Sequence, residues 1–353
     1  MSLLEDRYRY VLRLLPASYR AEREEEMVCA FLEGSGGLSD ADNPRPRWSE
    51  IASVAALSLR VRLGGAGASP RFFAWGEAVR LVAVLGLFFH AMMSCVWLGD
   101  FLRPPGVFGS PSVDYRAALG PAGSVERLWN IVQGLGGLLW IAAFASLVRG
   151  RPRAAKPPAL LALALHYGIA FPSGLANWDY DKIVVLQSLL FVVPVLALVA
   201  GFHRDAPRMR RSPWVAAAPV GAGVLLYVIL GVLGSTMRAT LDWRFWSWVW
   251  PWLGVSGLAC LALLVASATC VWTRLRVPAG RTPSLPLALA ILIVPVVLSC
   301  ASFLTFEAVD PISRTMAAVT VGQLVALLLC GLTLVVLAAR TMPALPRVTP
   351  SSP

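Results

Sequence analysis

The chain has a polar start with a helical period, followed by a long apolar remainder. From about residue 78 onward, apolar residues run in stretches of about twenty, the length that a helix needs to cross the hydrocarbon core of a bilayer. Eight such stretches are present, at 78–99, 128–148, 158–177, 183–203, 214–234, 250–272, 285–304 and 317–339. This pattern predicts an all-α protein, a polytopic membrane helix bundle of about eight spans preceded by a small helical module.

In the polar start, apolar residues recur at the spacing of amphipathic helices. The expected apolar faces are Leu4, Tyr8, Val11, Leu12 and Leu15 in a first helix; Met27, Val28, Phe31 and Leu32 in a second; and Trp48, Ile51, Ala55, Leu59 and Leu63 in a third. Pro16 ends the first helix, and Ser18 is placed to cap the second. Because so small a bundle is weakly stable alone, we expect it to lean on the membrane region or on a partner.

These patterns divide the chain into successive regions. We expect a cytoplasmic three-helix module at 1–65, a linker at 66–77, a transmembrane domain at 78–340 and a cytoplasmic tail at 341–353. Composition agrees with the membrane assignment, since 57% of residues are hydrophobic, only 14% are charged and the mean hydropathy is +0.66. A soluble domain carries about 25% charged residues.

Charge on the connections between spans orients the bundle. Alternate connections are strongly basic, with Arg149, Arg151, Arg153 and Lys156; Arg204, Arg208, Arg210 and Arg211; Arg274, Arg276 and Arg281; and Arg340 and Arg347. Because basic connections stay in the cytoplasm, we expect a multi-pass protein of the plasma (cytoplasmic) membrane, in contact with lipid, with both termini in the cytoplasm.

The same charges argue against a nucleic-acid partner. The net charge is +11, yet residues 1–70 carry nine arginines against ten acidic residues. The basic excess therefore belongs to the loops of the membrane region, whereas direct binding of nucleic acid needs a basic patch on a folded module.

Five tryptophans lie close together at the expected outer end of the sixth span. They are Trp243, Trp246, Trp248, Trp250 and Trp252. Four of them alternate with a period of two, which does not suit one helical face and favours a short extended or interfacial segment before Pro251. The favoured interpretation is an interfacial aromatic belt. The alternative is an aromatic wall that binds a cation or a lipid-like ligand by cation–π contact.

Two histidines, His90 and His166, are expected near the middle of their spans. Ionisable residues at that depth are functional hypotheses by default, and these two spans run in the same direction, so that the imidazoles can share one depth. The favoured interpretation is a pair of hydrogen-bonded structural histidines. The alternatives are a proton or substrate role, or a haem or metal site with Met92, Met93 and Cys95 as soft donors.

No catalytic or cofactor motif accompanies these residues. The sequence has no Walker, GxSxG or HExxH motif, and its six cysteines show no CxxC or metal-ligand spacing. We therefore expect no cofactor, no metal and no enzymatic activity. The amides within the spans are expected to join helices by hydrogen bonds; they are Asn130, Gln133, Gln187 and Gln323.

The segment LRLLPASYRAEREEEM, residues 12–27, resembles a known family of modules. It carries the pattern Leu-x-Pro, Tyr-Arg and Glu-Glu-Met at Leu14, Pro16, Tyr19, Arg20, Glu25, Glu26 and Met27. This pattern is similar to that of the permease-prefix or HAAS-type signalling domain of actinobacterial integral membrane proteins, over about the first 65 residues.

Related modules precede ABC permeases or occur on membrane proteins encoded beside PadR-type transcriptional regulators. The resemblance thus implies a PadR-like regulator or an ABC ATPase as partner, with Tyr19, Arg20, Glu25, Glu26 and Met27 as docking residues. The alternative is a cytoplasmic cap that only orients the first span.

Two functions follow as hypotheses. In the first, the protein is a non-enzymatic signalling or regulatory component whose bundle responds to a signal and whose module docks a cytoplasmic regulator. In the second, it is a permease subunit or small-molecule exporter that works with a separate ATPase or by proton coupling. A membrane enzyme or haem protein is a third and less favoured hypothesis.

Overall fold

A computed structural model describes residues 2–34, 45–65, 67–102, 121–174, 178–203, 212–240, 243–276, 282–304 and 310–342. For residues 167–174, 178–184 and 238–240, and for Glu126, Trp129, Gln133 and Pro213, it describes the backbone alone. Three connecting or terminal segments lie wholly or mostly outside the described residues. They are the connection between the first two predicted spans at 100–127, the basic connection at 204–211 and the tail from 343 onward.

Three amphipathic helices begin the chain, namely α1 (Leu3–Leu12), α2 (Ala17–Gly34) and α3 (Trp48–Arg62). The side chain of Ser2 caps α1 by accepting a hydrogen bond of 3.2 Å from the Glu5 N–H. Pro16 separates α1 from α2, as predicted. The predicted cap of α2 is wrong, because the helix begins at Ala17 and Ser18 lies inside it.

The three helices enclose a small hydrophobic core. Its buried side chains come from all three helices and the turn after α1, and they are Tyr8, Leu12, Leu15, Tyr19, Val28, Val54 and Val61. The ring of Tyr8 stacks on Phe31 with centroids 3.9 Å apart, which joins α1 to α2. The predicted apolar faces of α1 and α2 are therefore confirmed.

The predicted face of α3 is wrong. Val54, Ser58 and Val61 are its buried residues, whereas Trp48 is 84% exposed and Leu59 is 55% exposed. Both faces of this helix carry apolar side chains, so hydrophobic periodicity alone could not decide between them. The inward face also fixes α3 to the end of α1, because the Ser58 hydroxyl donates a hydrogen bond to the Leu14 carbonyl at 2.6 Å.

Helix α4 (Pro70–Leu102) is the central helix of the larger bundle. It begins well before the predicted start of the first span, so that residues 70–77, predicted as linker, are helical. Four later helices pack along it, and its side chains enter the main hydrophobic core at Ala78, Val82, Leu87 and Ala91.

The chain passes from α3 to α4 through a close backbone contact. Gly76 on α4 lies against the Leu63 carbonyl, and a Cβ at that position would collide with the carbonyl oxygen. Beside it, Gly64 adopts a φ of 82° and packs on Phe73. Because no side chain separates the two backbones, the end of α3 is seated directly on the beginning of α4.

The remaining helices complete an all-α bundle, and the described residues contain no β-strand. They are α5 (Val125–Val148), α6 (Pro152–Gly174), α7 (Trp178–Gly201), α8 (Pro213–Thr240), α9 (Trp243–Leu253), α10 (Val255–Arg276), α11 (Ser284–Ala301) and α12 (Pro311–Thr341). α5, α7, α8 and α11 contact α4, while α10 and α12 pack on α11. Asp310 caps α12 by accepting a hydrogen bond from the Ser313 N–H at 3.0 Å.

Six of the described helical segments are long and apolar enough to cross a membrane, judged by length and composition. They are Pro70–Leu102, Asn130–Val148, Trp214–Met237, Val255–Arg276, Ser284–Ala301 and Pro311–Thr341. α7 adds a shorter apolar stretch, Val185–Gly201. The spans expected at 158–177 and 183–203 fall on α6 and α7, parts of which lie outside the described residues, so the count of eight stays a prediction.

Candidate functional site

His90 is held at the packing contact between α4 and α7. Its side chain is 1% exposed, and its Nε2–H donates a hydrogen bond of 2.9 Å to the Leu190 carbonyl. In a regular helix this carbonyl would accept from the N–H four residues later, but position 194 is a proline and has no N–H. His90 therefore supplies the hydrogen bond that Pro194 cannot give.

Gly86 lies one turn before His90 on the same face of α4. A Cβ at Gly86 would collide with the ring of Pro194, so the absence of a side chain lets the two helices approach closely. Gly86 thus makes room for the proline, and His90 satisfies the carbonyl that the proline frees. This pairing agrees with the favoured interpretation of His90 as a structural histidine.

His166 and His90 meet through a shared aromatic neighbour. The ring of Phe191 stacks on His90 at a centroid distance of 4.5 Å and on His166 at 3.9 Å. Two rings stacked this closely on a third must lie on its opposite faces. Trp140 adds a further contact to His90 at 4.8 Å. Phe191 thus separates the two imidazoles within one cluster. This arrangement agrees with the expectation that His90 and His166 lie at one depth.

The tryptophan-rich stretch is helical, which corrects the prediction of an extended segment. It forms α9, and a break at Gly254 separates it from α10, so the predicted sixth span at 250–272 begins later, at Val255. The period-two spacing of four tryptophans suggested an extended segment on the assumption that their rings share one environment. In the structure the five rings lie in different environments. Trp246 is 4% exposed, and Trp252 packs against the main core.

The other three tryptophans, Trp243, Trp248 and Trp250, are each more than half exposed. Trp243 and Trp250 are seven residues apart and lie on one side of α9, whereas Trp248 points well away from them. The three exposed rings therefore do not build one continuous aromatic wall. The distribution favours an interfacial belt, in which amphipathic rings lie at headgroup depth. Trp250 is the exception, because it also lines a cavity.

This cavity has a volume of about 610 Å³ and is bounded by α4, α6, α7 and α9 to α12. Its aromatic lining consists of Trp97, Phe191, Trp250 and Phe303, and its polar lining includes His166, Gln187, Ser256, Thr320 and Gln323. No charged side chain is among the described residues that line it. Pockets of this size, mostly apolar with a few polar groups, commonly hold small molecules, and this lining suits an uncharged amphipathic one.

Backbone irregularity lies at the cavity wall. The helical hydrogen-bond pattern stops where α9 ends, and the Gln323 side chain donates to the freed Pro251 carbonyl at 3.3 Å. Non-helical backbone at membrane depth is tolerated where it is buried in protein or lines a cavity. The prediction that Gln323 joins helices is confirmed. Gln187 lines the same cavity, and the side chain of Gln133 lies outside the described residues.

A pair of serines joins α10 to α11 beside the cavity. The hydroxyl oxygens of Ser256 and Ser299 are 2.6 Å apart, and both side chains are buried. Neither these two serines nor the cavity was predicted from the sequence. Small hydroxyl residues recur throughout the apolar helices, and no sequence signal distinguishes the two that face each other.

The structure divides the candidate docking residues between core and surface. Tyr19 is 7% exposed, and Met27 packs against the module core. Arg20 is half-buried. Glu25 and Glu26 are exposed, but only Glu26 lacks an ion pair with a described residue. Tyr19 and Met27 therefore shape the module, and Glu26 is the accessible member of the set.

Arg9 of α1 pairs with the glutamates of α2 that face α1. Its guanidinium donates two hydrogen bonds to the Glu25 carboxylate, at 2.8 and 3.0 Å, and lies within 3.1 Å of Glu5 and 3.5 Å of Glu24. These hydrogen bonds lower the pKa of Glu25 and raise that of Arg9. Glu5, Glu24 and Glu25 thus belong to a network within the module.

A second line of glutamates on α2 faces outward. Glu22, Glu26 and Glu33 are exposed, and among the described residues no basic side chain pairs with them. Their spacing places them, with the exposed Cys29, along one side of the helix. We call Glu22, Glu26 and Glu33 the acidic stripe.

Metal ligands do not gather in the part of the chain that the structure describes: no group of three or more His, Cys, Asp or Glu side chains is placed to hold an ion. No family model matches the chain, and no curated protein and no solved structure matches it either.

Proposed function

We propose that this chain is a non-enzymatic signalling component of the plasma (cytoplasmic) membrane, with eight spans and both termini in the cytoplasm. In this proposal residues 1–65 form a cytoplasmic three-helix module that docks a soluble regulator. The resemblance to HAAS-type prefixes of actinobacterial membrane proteins supports a PadR-like transcriptional regulator as the partner.

The acidic stripe is the observation that carries the docking role. Glu22 and Glu26 are four residues apart and repel one another. Glu33 extends the same line of negative charge two turns further, and a basic surface on a partner would offset this charge. Glu25, by contrast, already has a cation in Arg9. A cap that only oriented the first span would have no use for an exposed, uncompensated line of charge.

Direct seating of the module on α4 supports coupling to the membrane region. The contact of Gly76 with the Leu63 carbonyl holds the end of α3 directly against α4, beside the short connection at 63–69. A change in the position of α4 would therefore move the module. The uncharged cavity gives the bundle a place to receive a signal from an amphipathic molecule.

Affinity capture from native membranes tests the proposal. Full-length protein in gentle detergent is compared with a form lacking residues 1–65 and with the triple substitution Glu22→Gln/Glu26→Gln/Glu33→Gln. We expect a soluble DNA-binding protein to be retained by the full-length chain and lost from both altered forms. Asp6→Asn, which removes an exposed acid on α1, is the control and should retain the partner. Equal recovery with the triple variant would contradict docking through the stripe.

A permease subunit or exporter is the second candidate, and the cavity beside the helix break at Gly254 favours it. Small-molecule sites often lie between the helices of bundles. The same capture experiment distinguishes the two, because a permease working with a separate ATPase would retain that ATPase. Retention of an ATPase by the form lacking residues 1–65 would favour this candidate over the first.

A further inference from the structure

α3 presents an exposed apolar face that the module does not cover. Trp48, Ala52, Ala55 and Leu59 lie along one side of the helix, opposite the buried Val54, Ser58 and Val61, and all four are exposed. We call these four residues the α3 stripe. From Trp48 to Leu59 it is about 16 Å long at about 1.5 Å per residue. An exposed apolar surface of this kind commonly marks a site of interaction.

The charges around the α3 stripe are basic. Arg45, Arg47, Arg60 and Arg62 are exposed. Arg62 follows Ala55 by seven residues, so it continues the line of the stripe, and it donates a hydrogen bond of 3.2 Å to the Leu14 carbonyl. Arg60 lies further round the helix, toward the polar side of Ser53. Glu50 is the sole acidic residue between positions 45 and 63. Its carboxylate is turned away to the helix start, where it accepts a hydrogen bond of 2.8 Å from the Arg47 N–H. An apolar stripe with tryptophan and flanking arginines is the pattern of a helix that lies on a membrane surface.

The end of α3 is also held next to the first long apolar helix. Leu63 and Gly64 pack on Gly76 and Phe73, near the beginning of α4. That beginning is rich in aromatic residues, with Phe72, Phe73 and Trp75, as is usual where a span enters the headgroup region. In the proposed topology, the C-terminal end of α3 therefore lies at the level of a membrane surface.

We propose that α3 lies on the cytoplasmic leaflet, with the α3 stripe inserted at the boundary of headgroups and acyl chains and its arginines on anionic lipid headgroups. The proposal rests on the cytoplasmic placement of the module. Basic residues next to a membrane are attracted by the negative surface potential of that leaflet. The acidic stripe of α2 is repelled by the same surface, so contact through α3 leaves α2 facing the cytoplasm.

Site-directed spin labelling of the full-length chain tests this contact. In a Cys29→Ser background, a nitroxide is attached at Ala55→Cys in the α3 stripe or, as the matched control, at Ser53→Cys on the exposed polar side. The labelled background without either new cysteine gives the signal to subtract. Each protein is placed in nanodiscs of pure phosphatidylcholine or of phosphatidylcholine with a third phosphatidylglycerol. Collision with oxygen, which partitions into lipid, is compared with collision with a water-soluble nickel chelate.

We expect the label at position 55 to have a several-fold higher ratio of oxygen to nickel accessibility than the label at 53, with a larger difference in the anionic nanodiscs. Arg45→Gln/Arg60→Gln should abolish the dependence on anionic lipid. Equal accessibility to nickel at 55 and 53 in both lipid mixtures would overturn the proposal. Protection of position 55 that develops only after addition of cytosolic protein would also overturn it, in favour of a protein partner.

Discussion

His90 and Pro194 form two parts of a single contact between α4 and α7. The proline leaves the Leu190 carbonyl without its helical donor, and His90 donates to that carbonyl at 2.9 Å from a fully buried ring. An unsatisfied carbonyl in hydrocarbon is costly, so the histidine allows a proline to be present in the middle of an apolar helix.

Removal of this donor should destabilise the protein in a way that depends on the proline. His90→Ala leaves the buried carbonyl unpaired, at a cost of about 1–3 kcal/mol in addition to the lost packing. In a Pro194→Ala background the residue at 194 regains an N–H that can bond to Leu190, so the same substitution should cost less. Thermal unfolding of the four proteins in detergent gives the coupling, which we expect at about 1–2 kcal/mol. Additive effects would show that the two residues act independently.

Gly76→Ala should loosen the module without affecting the bundle. The new Cβ collides with the Leu63 carbonyl, so α3 must move away from α4. We expect faster proteolytic cleavage between residues 63 and 70, with unchanged thermal unfolding of the membrane region. Gly34→Ala, where nothing lies within 4 Å of the added atom, is the control. An unchanged cleavage rate in the Gly76 variant would argue against close packing of α3 on α4.

The contact between α1 and α2 should weaken in acid. Arg9 lowers the pKa of Glu25 in the folded module from its ordinary 4.5, so this pair stabilises the fold above that value and the contribution is lost as the pH falls through the lowered pKa. Hydrogen exchange of α1, expressed relative to the intrinsic amide exchange rate at each pH, should therefore accelerate as the pH falls below 4.5. In Glu25→Gln this part of the acceleration should be absent, and an identical pH profile would exclude the pair as its cause.

The pair of serines beside the cavity should contribute modestly. Hydrogen bonds between membrane helices are worth about 0.6 kcal/mol on average in double-mutant cycles, with a maximum of about 1.7 kcal/mol. We expect a coupling of that size between Ser256→Ala and Ser299→Ala in unfolding measurements, because their hydroxyls are 2.6 Å apart. A coupling near zero would mean that each hydroxyl has another partner.

Much of the fold could be predicted because hydrophobic length and periodicity are strong signals. The apolar faces of α1 and α2 appear where the spacing placed them, with Leu12 and Val28 in the module core. For α3 the same reasoning failed, because Val54 and Val61 form an apolar face as continuous as that of Trp48 and Leu59. Periodicity identifies an apolar face, but the neighbouring helices decide which face is buried.

The candidate sites could be predicted from the sequence only in part. His90 stood out as an ionisable residue in an apolar stretch, but its role depends on Leu190 and Pro194, a hundred positions away in the chain. The tryptophans from Trp243 to Trp252 alternate like a strand, yet α9 is a helix because its surroundings, rather than its local pattern, determine its conformation. The cavity is formed by residues from seven helices and has no signature in the sequence of any one of them.

The docking proposal and the lipid proposal both require the N-terminal module to lie in the cytoplasm. The accessibility of Cys29 tests this placement directly. Cys29 is the exposed cysteine among the six and lies beside the acidic stripe of α2, whereas the other five are buried or half-buried in the bundle. A membrane-impermeant maleimide is applied to intact spheroplasts and to inverted membrane vesicles, with Cys29→Ser as the control. We predict labelling in the inverted vesicles only, and loss of that labelling in Cys29→Ser. Labelling of Cys29 in intact spheroplasts would place the module outside the cell and contradict both proposals.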